Sequence, residues 1–371
     1  MQLGTGQRVV FKEFGETPVE SIEKFSSLEP MDAPDPQALG DTEVIIQIKS
    51  ASIAWADVLM TSGQYQHQPK PPYIPGNDYS GVVAGVGAGV DDSRCRVGDR
   101  VLIDFTLAGP RSLGPYQHAG GLASYAVVPQ QAVLRIPGSL SFDQASNLLV
   151  NYETAYHCLV ARGQLKNGET ILINGATGST GVAAVQVAKL LGATVIAVGR
   201  SDEKLALVKA QGADHVVNSS APEGEGVRRF RDDVKALTGA NGVDVVYDAV
   251  GGETSLESMR CTAFGARFLI VGWASTPNVA RGKGLRGSPN ANQLPTNIMQ
   301  MKGLSVLGCP TGIAVAKDPS VRPPRLAAVL RWADEGKIDP FVSNVYALSD
   351  YKKAMLARWN GEIVGGSAIH P

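Results

Sequence analysis

Cysteine is scarce: there are four in 371 residues, scattered as Cys95, Cys158, Cys261 and Cys309. No C-x-x-C pair occurs, so the chain offers neither a structural zinc lobe nor a C-x-x-C redox site. The scatter reads as buried free thiols rather than a disulfide framework. Net charge is nearly absent too, at −1. That removes the electrostatic case for nucleic acid or an anionic membrane surface as a partner. No apolar run approaches a membrane span, and the opening MQLGTGQRVV holds no signal-peptide core. A cytoplasmic location is the expectation. What the chain does have is apolar material, 44% hydrophobic against 19% charged, enough for two ordinary domain cores.

As far as about residue 135 the chain is written in short strands and dense turns, which describes a small, mostly β domain. Arg8–Phe11, a turn at Gly15 and Ser21–Phe25 predict an N-terminal hairpin. Glu43–Ile53, EVIIQIKSASI, alternates as a half-buried strand does. Ala54–Tyr65 reads as a short helix or turn ahead of the Pro-rich Gln68–Pro75. After Pro137 the period changes. Phe142–Ala161 predicts a helix with Ser141 as its N-cap. From Thr170 to Val271 strands and helices alternate, which implies a parallel sheet with helices on both faces. Ala274–Pro295 is rich in Gly, Asn and Pro and reads as an exposed loop. Gly303–Gly308 supplies one more strand. Leu326–Glu335 and Asp350–Trp359 are helical, and Ile363–Ile369 is a terminal strand.

The most informative stretch is Ile171–Gly181, ILINGATGSTG. A β-branched strand feeds a Gly-rich turn and then an amphipathic run. That geometry aims helix N–H groups at a phosphate, with Gly178 and Gly181 where a side chain would block close approach. The first small position is Ala176 rather than Gly, and alone the motif is equally compatible with simple turn chemistry. Beyond the strand Thr194–Gly199 comes Arg200-Ser201-Asp202-Glu203-Lys204. An NAD site places a carboxylate at that strand end, but Gly199 and Arg200 stand here. Arg200, Ser201 and Lys204 offer charge and a hydroxyl to a 2′-phosphate, so NADPH is the expected cofactor. Asp202 reads as part of the first turn of the next helix. Val250-Gly251 and Val271-Gly272-Trp273 fall at the C-terminal ends of predicted parallel strands, where ligands bind in open sheets.

Four stretches carry a family pattern. Ile53–Tyr65 is similar to INxxDxYxRxGxY, and Pro75–Val83, PGNDYSGVV, to PGxExxGxV. Asn151–Tyr156 reads NYETAY against NYxTAY, and Ala176–Val182 matches an ASGGVG-type turn. In this order they resemble the medium-chain dehydrogenase/reductases, in the zinc-free NADPH:quinone oxidoreductase (zeta-crystallin-like) branch. The resemblance implies an α/β fold: a GroES-like, mostly-β catalytic domain over 1–140, completed by 314–371, and a doubly wound Rossmann NADPH-binding domain over 141–313. It implies a homodimer. It also places Tyr152, Thr154, Gly178, Ser179, Thr180, Gly181 and Val182 at the cofactor, with Thr154 facing the nicotinamide amide. Ordinary helix packing is an equal reading for Tyr152.

By the same resemblance Tyr65 orients or protonates the substrate, although packing beside the Pro-rich loop is an equal reading. Asp57 is a catalytic candidate whose expected task is hydrogen bonding within its turn. Trp55, Leu59 and Tyr65 line the substrate pocket. Ala54 and Leu59 replace a family Asn and Tyr, which makes that pocket more apolar. Arg111, Tyr116 and His118 in the extended loop Thr106–Ala119 are candidates for the rim of the substrate entrance, with a solvent-exposed loop the safer reading of each. Zinc-binding relatives carry Cys and His where this chain has Ala54 or a neighbour and Asn77, and no Cys lies between Cys95 and Cys158, so no metal is expected. The implied reaction is hydride transfer from NADPH to a small electrophile, a quinone or the activated C=C bond of an enone. The alternatives are an enoyl-thioester reductase serving a polyketide or acyl pathway and a weakly catalytic NADPH-binding structural protein.

Overall fold

The computed structural model describes residues 3–65, 69–112, 114–222, 226–275 and 292–371. Among them, two compact units are formed, one of 3–150 with 342–371 and one of 151–275 with 292–341. The corresponding sequence expectation set the boundaries at 140 and 314. Most of the loop expected over Ala274–Pro295 lies outside the described residues.

The first unit opens with β1 (Gly6–Phe11), α1 (Pro18–Lys24) and β2 (Ser26–Met31), the two strands pairing antiparallel. The expected hairpin is corrected here, because Ser21–Lys24 is helical. Thr17 caps α1, its Oγ1 accepting from Glu20 N at 3.1 Å, and Pro18 sits in the first turn, where its missing N–H costs nothing. Next come β3 (Glu43–Ser52), α2 (Trp55–Met60), β4 (Tyr79–Val86), β5 (Arg100–Ile103), β6 (Tyr125–Pro129) and β7 (Val133–Arg135). The predicted helix over Phe142–Ala161 is present but broken into α3 (Phe142–Ala145), α4 (Leu149–Tyr156) and a π-helical turn, His157–Arg162. Ser141 caps α3 as expected. The break follows from Ser146 and Asn147, whose side chains both donate to Asp143 O, at 3.0 and 2.9 Å, in competition with the helix.

The second unit continues with β8 (Thr170–Asn174), α5 (Ser179–Leu190), β9 (Thr194–Gly199), α6 (Asp202–Ala210), β10 (His215–Asn218), α7 (Arg231–Leu237) and β11 (Val243–Asp248). Then follow α8 (Gly252–Arg260), β12 (Thr262–Ile270), α9 (Thr296–Lys302), β13 (Ser305–Gly308), α10 (Thr311–Lys317) and α11 (Arg322–Asp334). Six strands form one parallel sheet in the order β10-β9-β8-β11-β12-β13. This is the doubly wound Rossmann order, reversing direction between β8 and β11. Its central strands β8, β9 and β11 are largely apolar runs: Ile171, Leu172, Ile173, Val195, Ile196 and Val246 are all fully buried, as a sheet covered on both faces requires. The chain then returns to the first unit with β14 (Val342–Ala347), α12 (Tyr351–Trp359) and β15 (Gly366–His370). They complete a seven-stranded sheet of order β14-β15-β3-β4-β5-β7, with β6 also paired to β3. Among the described residues no helix is long and apolar enough to cross a membrane.

One buried charge cluster explains why α11 belongs to the second unit. Glu153 on α4 is fully buried. It accepts from Arg322 Nε at 3.1 Å and Nη2 at 2.8 Å, and from Arg325 Nε at 2.8 Å. Removing the carboxylate leaves two buried guanidinium groups without their shared counter-charge. Glu153→Ala is therefore expected to lower the stability of this unit by about 3–5 kcal/mol in chemical denaturation. A loss below about 1 kcal/mol, the range of exposed pairs, would contradict the buried triad.

His157, the first residue of the π-helical turn, is also buried, and burial together with Arg325 and Arg162 holds its pKa down to about 4. The unfolded chain takes up that proton near the ordinary value of about 6.5. The favourable contribution is thus complete above that pH and falls away as pH drops towards 4. His157→Gln should flatten this part of the pH–stability curve by up to about 3 kcal/mol in pH-dependent melting. An unchanged slope would count against the neutral buried imidazole.

Candidate functional site

All six strands of the parallel sheet end on one side, at Asn174, Gly199, Asn218, Asp248, Ile270 and Gly308. The turn after β8 runs through Gly175 at φ +69° and the buried Ala176. A Cβ on Gly181 would lie 2.2 Å from Gly175 O, so glycine there is what lets α5 close onto the strand. Gly178 is the N-cap of α5 and has no side chain to offer. The first bond of the helix is Val182 N to Gly178 O at 2.9 Å. The N–H groups of Ser179, Thr180 and Gly181 precede it and point out of the helix end. Together with the helix dipole they fit a bound pyrophosphate.

The neighbouring strand ends complete a platform. At the end of β9 a Cβ on Gly199 would crowd Leu205 Cδ2 at 3.0 Å and Thr177 Cγ2 at 3.1 Å. Arg200 is exposed, and Ser201 caps α6 by accepting from Lys204 N at 3.4 Å. Asp202 begins α6 and accepts from Asn218 Nδ2 at 3.0 Å.

Asp248, which sequence reasoning did not single out, ends β11 fully buried. Its Oδ1 accepts from Val250 N and Gly251 N, each at 3.2 Å, and from Asn174 Nδ2 at 3.1 Å; its Oδ2 accepts from the Ser255 hydroxyl. Its carbonyl accepts from Val271 N at 2.8 Å and Gly272 N at 3.2 Å. Val250-Gly251 and Val271-Gly272-Trp273 are thereby stitched side by side. The signal in the sequence was an acid closing the apolar run VDVVYD. Tyr152 lies in the core, its hydroxyl donating to Gln186 Oε1 at 2.7 Å, while Thr154 is half-buried.

In the first unit Asp57 is buried on α2. Its Oδ2 accepts from Ala54 N at 2.9 Å, and its Oδ1 accepts from Asn77 N at 3.1 Å and Asn77 Nδ2 at 2.5 Å. Burial raises its pKa against the pull of these bonds and of Arg111. The carboxylate thus pins the start of α2 to the turn before β4, and the Asn77 amide is committed as its donor. Among the described residues no group of three His, Cys, Asp or Glu could hold a metal ion.

Tyr65 is half-buried, and the Arg111 guanidinium lies over its ring at 5.4 Å and over the Phe105 ring at 5.0 Å. Arg111 is therefore half-buried and packed on two rings, where the sequence reading had an exposed loop. Tyr116 donates to Glu43 Oε1 at 2.9 Å, while His118 is exposed. Trp55 stacks on Trp359 at 5.1 Å and 6°. Sequence reasoning missed Trp359. Its neighbour Arg358 is buried and donates to Ile53 O at 3.0 Å and Gly365 O at 2.9 Å, which fixes the end of α12 against the start of α2. Leu59 is half-buried on the same helix.

Two family models match the chain, the alcohol dehydrogenase GroES-like domain over residues 40–138 and the zinc-binding dehydrogenase over residues 179–318. The chain is 33% identical over 322 residues to quinone oxidoreductase-like protein 2 of Mus musculus, covering 86% of this chain and 83% of that protein. It is 28% identical over 327 residues to the mycocerosic acid synthase-like polyketide synthase of Mycobacterium tuberculosis, covering 88% of this chain but 14% of that protein. A crystal structure of a probable oxidoreductase from Mycobacterium abscessus is 27% identical, with a TM-score of 0.77 and coverage of 99% of both chains.

The close contact under α5 is directly testable. Gly181→Ala drives a methyl into a backbone oxygen that cannot rotate away, and should cost roughly 1–3 kcal/mol of stability. Gly178→Ala meets nothing nearer than 3.4 Å and should cost distinctly less in the same thermal melts. Equal losses would contradict the packing described.

Proposed function

From a chain that belongs to the medium-chain dehydrogenase/reductase superfamily, in its quinone oxidoreductase-like branch, we propose an NADPH-dependent reductase of quinones or of the activated C=C bonds of enones, acting without a metal ion. The observation that carries this reading is the strand-end platform, with the uncapped N-terminus of α5 at its switch point. Preference for the 2′-phosphate is supported by Arg200, Ser201 and Lys204 at the end of β9, with Asp202 engaged by Asn218. A bound dihydronicotinamide would supply the hydride.

The chain's own residues account for the rest. Ser179, Thr180 and Gly181 N–H groups hold phosphate, and the loops stitched by Asp248 present Val250, Gly251, Val271, Gly272 and Trp273 to the nicotinamide half. Thr154 serves the nicotinamide amide, and Tyr152 acts from the core by holding α4. In the first unit the Tyr65 hydroxyl donates to the substrate carbonyl, and the Arg111 cation favours the negative charge that develops there as hydride arrives. Asp57 is a positioning residue that holds α2, and with it Trp55 and Leu59. The Trp55–Trp359 stack offers a flat apolar wall suited to a planar ring. Metal independence is supported by the chemistry of position 77, where a neutral amide, a poor zinc ligand, stands in place of an imidazole. A homodimer in the cytoplasm belongs to the proposal on family grounds.

A second reading, an enoyl-thioester reductase, is supported by the polyketide synthase segment that matches most of this chain. Loss of NADPH absorbance with quinones, enones and enoyl thioesters decides between them, and turnover should be fastest with the first two classes and survive a chelator. Binding of NADPH with no turnover of any acceptor would contradict an enzyme and favour the weakly catalytic structural protein. Arg200→Ala should raise the KM for NADPH by about tenfold, the worth of one charge-assisted contact, and leave that for NADH unchanged. An equal change in both would remove the 2′-phosphate assignment.

A further inference from the structure

The end of β10 lies beside the end of β9, with Asn218 opposite Gly199. The chain beyond Asn218 is tied across to β9 at two successive residues. Ser219 N and Oγ both donate to Gly199 O, at 2.8 and 3.1 Å, and Ser220 Oγ donates to Arg200 O at 2.8 Å. Arg228 closes the turn from the other side, its N donating to Ser219 O at 2.9 Å and its Nε to Asn218 O at 2.6 Å. The Asn218 backbone is therefore held, and its side chain leaves from a fixed point.

The amide of that side chain has one favourable orientation. Ser220 N is a donor, lies 2.9 Å from it, and requires the oxygen Oδ1 on that side. The NH2 group is then turned to Asp202, whose Oδ1 accepts from Nδ2 at 3.0 Å. A flipped amide would set donor against donor at Ser220 and acceptor against acceptor at Asp202. Asp202 begins α6 and is the nearest carboxylate in the chain to the end of β9. A carboxylate left free beside that strand end accepts from the 2′-hydroxyl of a ribose and repels a 2′-phosphate, which is the charge pattern of an NAD site. Arg200 and Lys204 flank it in the sequence and carry the opposite charge.

We propose that Asn218 sets the preference for NADPH over NADH by holding the Asp202 carboxylate to the end of β10, so that Arg200 and Lys204 meet the 2′-phosphate without a competing negative charge. The inference rests on the NADPH reading above and names the residue that enforces it. Asn218 is a positioning residue, acting through Asp202. The ties from Ser219, Ser220 and Arg228 serve the same end, since they fix the backbone on which the amide is aimed.

The test is direct binding of NADPH and of NADH, read by calorimetry so that turnover does not enter. In Asn218→Ala the Kd for NADPH should rise about tenfold, while that for NADH should hold or fall. The loss should be larger at low ionic strength, where the freed charge is less screened. Adding Asp202→Asn to Asn218→Ala removes that charge and should return NADPH binding to within about twofold of wild type, a coupling that independent sites would not show. Asn218→Ser keeps an acceptor for Ser220 N but is too short to reach Asp202. It should shift the two cofactors in the same directions, and it decides if the alanine variant does not fold in thermal melts. Equal weakening of both cofactors with no rescue at position 202 is what a merely structural turn gives, and would overturn the proposal. A wild-type preference for NADPH that survives both substitutions at position 218 would overturn it while leaving the NADPH reading intact. Wild-type protein that binds both cofactors alike would remove that reading, and this inference with it.

Discussion

The approach of α5 to the turn after β8 sets the rest of the second unit. It depends on hydrogen at one position, since any Cβ on Gly181 would fall far inside van der Waals contact with Gly175 O. With the helix that close, its first three N–H groups face outward at the place where the sheet changes winding direction. The loops beyond β11 and β12 meet the same edge, because Asp248 gathers their N–H groups with a single carboxylate and carbonyl. The platform is thus a consequence of two local devices, a missing side chain and one buried acid.

The first unit solves a different problem, holding a short helix at a fixed angle. Asp57 binds both the start of α2 and the turn before β4, and Arg358 binds the backbone just ahead of that helix. Between them α2 has little freedom, so Trp55 can stack flat on Trp359. An apolar wall and the Tyr65–Arg111 pair follow from the same frame. Where zinc-binding relatives are expected to carry an imidazole, an amide here completes the scaffold.

The βα alternation was legible because the central strands β8, β9 and β11 are short runs rich in buried β-branched residues, separated by longer helical stretches. The Gly-rich turn and the Arg200 strand end were legible for the same reason: their chemistry is local. The N-terminal pair was misread because short apolar pieces outweighed a capping signal, Thr17 to Glu20, that was present. Arg111 was legible only as a loop residue at the rim of the substrate entrance, without its ring partners, and Trp359 was out of reach. Each acquires its role from a partner distant in the chain, Tyr65 and Trp55 respectively, and no period or spacing encodes such a meeting. Asp248 lay between these cases, an acid at a strand end whose partners only the fold supplies.

The central claim is that this chain moves a hydride from NADPH to an electrophilic carbon. It is tested most directly with an enone and NADPH carrying deuterium at the transferable position of the nicotinamide ring. The account predicts a saturated product with deuterium on its β-carbon, formed by enzyme treated with a chelator. Enone and quinone both left unreduced despite bound cofactor, or a reduced enone whose new β-hydrogen comes only from solvent, would contradict it.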